Sequence, residues 1–183
     1  MMDSVPSVVA LPVAASESRT ERLASLFDAH YERLYRLARR LSPSAEDALD
    51  LVQDALLRAA TAIDSVPAGD AAEEAWLVRV LLNLQRDRWR KDKVRERHRR
   101  RVAPRAGGRD PEPALVARHI VWTALDALGP RRRAIVVMHE LEELPVRAIA
   151  SLLGIAAVTV RWHLFRGRRE LADLVNPSGR ADE

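Results

Sequence analysis

The stretch IASLLGIAAVTVRWHLFRGRREL, residues 149–171, holds an apolar run, one glycine, a second helical run and a crowd of arginines. A helix-turn-helix needs a small residue where its helices cross, a glycine in the turn, and apolar side chains locking the second helix onto the first. Ala150 and Gly154 fill the first two positions, and Ile149, Leu153, Ile155, Val160 and Leu164 supply the packing. The second helix then projects Thr159, Arg161, Trp162, His163, Arg166 and Arg169 away from the seam. Arginine pairs with guanine edges or grips phosphate, so that face suits duplex DNA. A plain helical hairpin whose basic end offsets the helix dipole fits the same residues. The stretch alone leaves both readings open.

Working outward, apolar residues recur at helical spacing and no alternating strand pattern is sustained, which predicts an all-α fold. Phe27, Tyr31, Leu34, Ala38 and Leu41 form one face of a first helix, broken at Ser42-Pro43-Ser44. Ser44, three residues before Asp47, starts a second helix that runs to about Ile63. Its inward residues are Ala48, Leu51 or Val52, Ala55, Ala59 and Ile63. A third helix begins near Ala72 and continues into a basic run. Three prolines and two glycines in VAPRAGGRDPEPA, residues 102–114, mark a linker. Helices at 114–128 and 131–141 follow, with Gly129-Pro130 between them and Pro145 in the first turn of the next. The expected division is a disordered tail at 1–20, a domain at 21–101, the linker, a domain at 115–175 and a short tail at 176–183.

Charge is unevenly placed. Of 183 residues, 31% are charged and 48% hydrophobic, for a net charge of +4. Residues 86–101 carry ten Arg or Lys against three acids, whereas residues 44–54 carry four acids and no base. An acidic patch beside a basic stripe suits two different partners better than a simple polycation does. No run of residues is long and apolar enough for a membrane span, so no membrane insertion is expected. The N-terminus opens on Asp3 and is interrupted by Pro6 and Pro12, unlike a secretory signal. With no cysteine, disulfides and zinc–thiolate sites are excluded, consistent with a reducing cytoplasm.

The third helix carries a second face with nucleic-acid chemistry. Trp76, Arg79, Asn83, Arg86 and Arg90 step by three, four, three and four, beside the inward stripe Leu77, Val80, Leu81 and Leu84. An aromatic, an amide and arginines together suit unstacked single-stranded DNA. A solvated amphipathic helix with Trp76 at the core edge fits equally at this point, and Trp89 reads as packing. Catalysis is not expected. His139-Glu140 leads into Leu141-Glu142-Glu143 rather than a second histidine. The histidines at 30, 98, 119, 139 and 163 are scattered, and no metal or cofactor is expected.

The segments EDALDLVQDALLRAA, WLVRVLLNLQRDRWR and ALDALGPRRRAIVVMHELEELPVRAIASLLGIAAVTVRWHLFRGRREL resemble, in order and spacing, a bacterial sigma factor of the sigma-70 family. The likeness is to its short extracytoplasmic-function (ECF) form and covers residues 22–175. It implies a dissociable RNA polymerase subunit that recognises promoters and helps open them. Asp50, Leu51, Gln53 and Asp54 would dock on the β′ clamp helices of the core enzyme, explaining the acidic patch. The third helix would capture the melted non-template strand of the −10 element, with Asn83 beside a base pocket and Asp87 and Arg90 continuing the pattern. Trp76, Arg79 and Arg86 would complete that site. Thr159, Val160, Arg161, Trp162, His163, Arg166, Arg168 and Arg169 would meet the −35 duplex, and the surrounding domain the β flap. An anti-sigma factor is implied as a further partner. Where relatives commonly read T-V-K-S-R-L-H-R-A-R, this chain has Trp162 for serine and His163 for arginine, which implies an unusual −35 preference. Ala156 and Ala157 replace the usual Pro or Ser, leaving the reading helix less well capped. A helix-turn-helix regulator acting without core polymerase is the alternative; it leaves residues 44–54 and the Asn83 face without a role.

Overall fold

The structure, a computed structural model, describes residues 13–100 and 123–175, and every regular element among them is helical. Helix α1 spans Val13–Leu41, α2 Ala45–Thr61 and α3 Asp70–Arg100, with a 3₁₀ turn at Ile63–Ser65. Residues 123–127 form a short helical segment, α4. Then come α5 (Pro130–Glu140), α6 (Val146–Leu153) and α7 (Ala157–Val175). The linker expected at 102–114, the tail at 176–183 and most of the helix expected at 114–128 lie outside the described residues. No single helix among those described is long and apolar enough to cross a membrane.

Helices α1, α2 and α3 pack on one another. Leu34, Leu37, Ala38 and Leu41 of α1 meet Ala48, Leu51, Val52, Ala55 and Ala59 of α2, and Leu77, Val78 and Leu81 of α3. Burying each of these leucines is worth about 1.5–3 kcal/mol relative to leaving it in water. Ser44 caps α2 as its sequence suggests, its hydroxyl oxygen accepting from the Asp47 N–H at 3.0 Å.

Two expectations shift. The inward stripe of α1 is turned by one residue near its start, because α1 faces α2, α3 and α5 at once. Leu26 is buried there, whereas Phe27 is 41% exposed and stacks on Tyr31 with ring centroids 5.0 Å apart. Helix α1 also begins at Val13, inside the expected tail. Arg19 pairs with Asp64, and Arg22 donates to the Val66 carbonyl at 2.6 Å, tying that end of the helix to the loop after α2.

In the C-terminal unit, α5 packs against α6 and α7. Gly129 precedes Pro130, which occupies the first helical turn where its missing N–H is harmless. Pro145 sits one residue outside α6 as its N-cap, rather than within the first turn. Gly154 ends α6 in the left-handed region at φ 64°, its N–H bonding back to Ala150 and Ser151 carbonyls, and α6 and α7 diverge by 110°. A side chain would be strained in that conformation, so the turn needs its glycine.

The two units also touch. Helix α3 packs against α5 and α6, and α1 against α5. Glu142, in the loop before α6 and with a side chain only 6% exposed, faces Arg33 at 2.7 Å and Arg40 at 3.2 Å on α1. Arg79 donates to the Leu152 carbonyl at 3.1 Å, and Lys93 meets Asp126 at 3.4 Å. Buried Arg133 shares Asp126 at 3.2 Å; burial lowers its pKa to about 10 despite that carboxylate's opposing pull.

Candidate nucleic-acid interface

Three surfaces result. On α2 the stripe Ala48, Leu51, Val52, Ala55 and Ala59 is turned into the core, so 3.6-residue periodicity leaves Asp50, Gln53 and Asp54 outward. Leu51 is fully buried and presents nothing to a partner; it positions the acidic residues from beneath. The apolar side of this surface is supplied instead by exposed Leu49 and Leu57. Sequence reading missed both; at about 100° per residue Leu57 falls opposite the core stripe and Leu49 on its flank, the signal that finds them. Arg88 of α3 reaches Asp54 at 2.6 Å.

On α3 the structure brings Asn83, Arg86, Asp87 and Arg90 together on an exposed stretch. Asp87 lies 3.5 Å from Arg86 and 3.9 Å from Arg90, on the same exposed face as Asn83. Trp76 is half-buried against the core, and Arg79 is engaged with α6, so these two are less available than the rest. Trp89 is half-buried, with Lys93 5.6 Å from its ring, in keeping with a packing role.

On α7, Val160, Leu164 and Gly167 face α5 and α6. Val160 is completely buried, so it locks the seam and cannot touch a base edge. Arg161, Trp162, Arg166, Arg168 and Arg169 are exposed, while Thr159 and His163 are half-buried. Arg168 pairs with Glu140 at 2.7 Å and Arg166 lies 3.8 Å from Glu170. The Trp162 ring meets His163 edge-on at 4.9 Å and carries the Arg132 guanidinium 5.6 Å from its centre.

His163 is held below its ordinary pKa, first by burial and then by Arg132 and Arg131, so the fold favours the neutral ring. The unfolded chain therefore takes the proton first as pH falls. The stability associated with neutral His163 is present above about pH 6.5 and is lost as pH drops through the lower folded value. Urea unfolding of the C-terminal helices at pH 7.5 and 5.5 should show this loss, and His163→Gln should flatten it.

No group of three or more His, Cys, Asp or Glu side chains suited to a metal ion occurs among the described residues. Of the three surfaces, one is acidic and apolar and two are basic with aromatic or amide groups.

Comparison with known proteins identifies the family of the chain. Residues 26–95 match the profile of sigma-70 region 2, and residues 118–171 that of sigma-70 region 4. The chain is 35% identical over 153 residues to the ECF RNA polymerase sigma factor SigE of Mycolicibacterium smegmatis, covering 79% of this chain and 58% of that relative. It is 36% identical over 156 residues to the ECF RNA polymerase sigma factor SigM of Mycobacterium tuberculosis H37Rv, covering 82% of this chain and 75% of SigM. The fold also resembles the sigma factor RpoE of Bartonella quintana, crystallised with the anti-sigma factor NepR. The TM-score is 0.53 at 23% identity, over 93% of this chain and 99% of that one. Two matched regions in order along the chain, with relatives above 30% identity over most of it, leave one conclusion: the chain belongs to the sigma-70 family of RNA polymerase sigma factors, in its ECF branch.

Proposed function

We propose that this chain is a dissociable specificity subunit of RNA polymerase, acting by binding rather than by catalysis, in the cytoplasm with the polymerase. The unit at 21–101 docks on the β′ clamp helices through Asp50, Gln53 and Asp54 and captures the melted −10 strand through the Asn83 face. The unit at 115–175 contacts the β flap and reads the −35 duplex through α7. One observation carries the proposal: a single chain presents the acidic face of α2 together with two separate DNA-suited faces, on α3 and α7. A regulator working without polymerase would need only the last. An anti-sigma factor is a further expected partner, as the similar RpoE is seen with NepR.

Transcription from a random promoter library with purified core enzyme and this chain tests the proposal. Enriched templates should share two elements at a set spacing; no enrichment over core enzyme alone would overturn it. Arg161 is exposed on α7, and Arg161→Ala should weaken −35-dependent initiation by about 1–3 kcal/mol if it pairs with a base. Equal losses on every selected promoter would make it a phosphate contact instead.

A further inference from the structure

The outward side of α7 carries apolar side chains that folding does not explain. Val158, Trp162 and Phe165 are 63%, 52% and 64% exposed. At about 100° per residue they fall, with Arg169, inside an arc of roughly 60° opposite the buried Val160, Leu164 and Gly167. Arg161 and Arg168 lie on one flank of this stripe and Arg166 on the other. Arg161 and Arg169 enter no ion pair among the described residues. Helix α7 packs against α5 and α6 through its other side, and the stripe meets α5 where Trp162 lies against the Arg132 guanidinium.

An apolar strip bordered on both sides by cations matches one feature of duplex DNA closely. The major groove is bounded by two rows of phosphates, and the apolar group on its floor is the C5 methyl of thymine. We infer that the Val158–Trp162–Phe165 stripe reads thymine methyl groups in the −35 duplex, with Trp162 as the specificity-determining residue. This rests on the −35 reading of α7 proposed above and states what that reading selects. Trp162 is not free to swing away. Its ring lies against the Arg132 guanidinium, which is held in turn by Glu170 at 2.5 Å. A serine at this position could offer a methyl group little contact area, so the indole changes the chemistry that is rewarded.

The test uses holoenzyme reconstituted from core polymerase and the full chain, with −35 duplexes selected from a random library. Each thymine is then replaced by uracil, which keeps the pairing and the O4 acceptor and removes only the methyl. Binding should fall about fourfold for each methyl in contact, the worth of one buried methylene. Trp162→Ser should lose the largest of these thymine–uracil differences, at the position the indole contacts, and keep its salt dependence and the smaller differences at Val158 and Phe165; Trp162 is half exposed, so folding should tolerate the change. Selected duplexes that bind equally with thymine or uracil would overturn the inference, leave the −35 reading intact and assign the stripe to a protein partner. Trp162→Ser protein with the parent's thymine preference at every position would remove the role of Trp162. Failure to select any −35 sequence would sink the −35 reading itself.

Discussion

Gly167→Val should unfold the C-terminal unit at temperatures the parent tolerates. A Cβ at this position would stand 2.7 Å from Val136 Cγ2 and 3.2 Å from Arg132 Cγ, where α7 crosses α5. Val136 is itself buried and cannot swing clear. Overpacking of this kind costs about 3 kcal/mol, and the larger valine cannot relieve it by rotamer choice. Gly167→Ala meets the same contact, but its better helix propensity returns about 1 kcal/mol, so a smaller net loss is expected. For a unit of this size, 3 kcal/mol lowers Tm by roughly 12–24 °C. Calorimetry should show α5–α7 unfolding at a lower temperature than in the parent, and −35-dependent transcription should fall at temperatures the parent tolerates. An unchanged melting profile would mean that α5 and α7 do not cross at Gly167.

Asp54→Lys should weaken binding to core polymerase by about ten- to a hundredfold without unfolding the chain. Asp54 is exposed on α2, beside Asp50 and Gln53 and between the outward leucines at 49 and 57. On the docking proposed above, reversing its charge sets like against like at a basic partner surface, and a ten- to hundredfold loss corresponds to about 1.4–2.7 kcal/mol. Within the chain the loss is small, because the Asp54–Arg88 pair lies at the surface and is worth only about 0–1 kcal/mol. Titration of labelled core enzyme, together with thermal melts of the free chain, separates the two effects. Wild-type affinity in the variant would remove α2 from the docking surface.

The all-α class, most helix positions and the helix-turn-helix were legible because each leaves a local mark. The Ala48–Leu51–Ala55–Ala59 stripe repeats at helical period, Ser44 caps locally, and Gly154 is needed by the turn it occupies. Phe27 shows where that logic weakens. Stepping by three and four residues fits two neighbouring stripes equally well, and only the direction of packing against α2, α3 and α5 selects Leu26. Leu51 and Val160 show the same limit in the site. A sequence pattern marks a segment as a partner surface, but helical rotation decides which of its residues reach out. The packing of the two units on each other left no periodic trace. Glu142 read as a solvated edge residue, and its two arginine partners lie more than a hundred residues earlier in the chain. Such a pairing has no local signature.

The close packing of α3 against α6 has a consequence for length. A chain of this size folded as one body is about 40 Å across. Elements named −10 and −35 are about 25 base pairs apart, or about 85 Å of duplex at 3.4 Å per step. A ruler of one length cannot measure twice its own span. If α3 holds the −10 strand and α7 the −35 duplex as proposed above, engaging both at once requires α3 and α6 to part, and with them the contacts of Arg79 with Leu152 and of Glu142 with Arg33 and Arg40. Those contacts fix the chain's folded length.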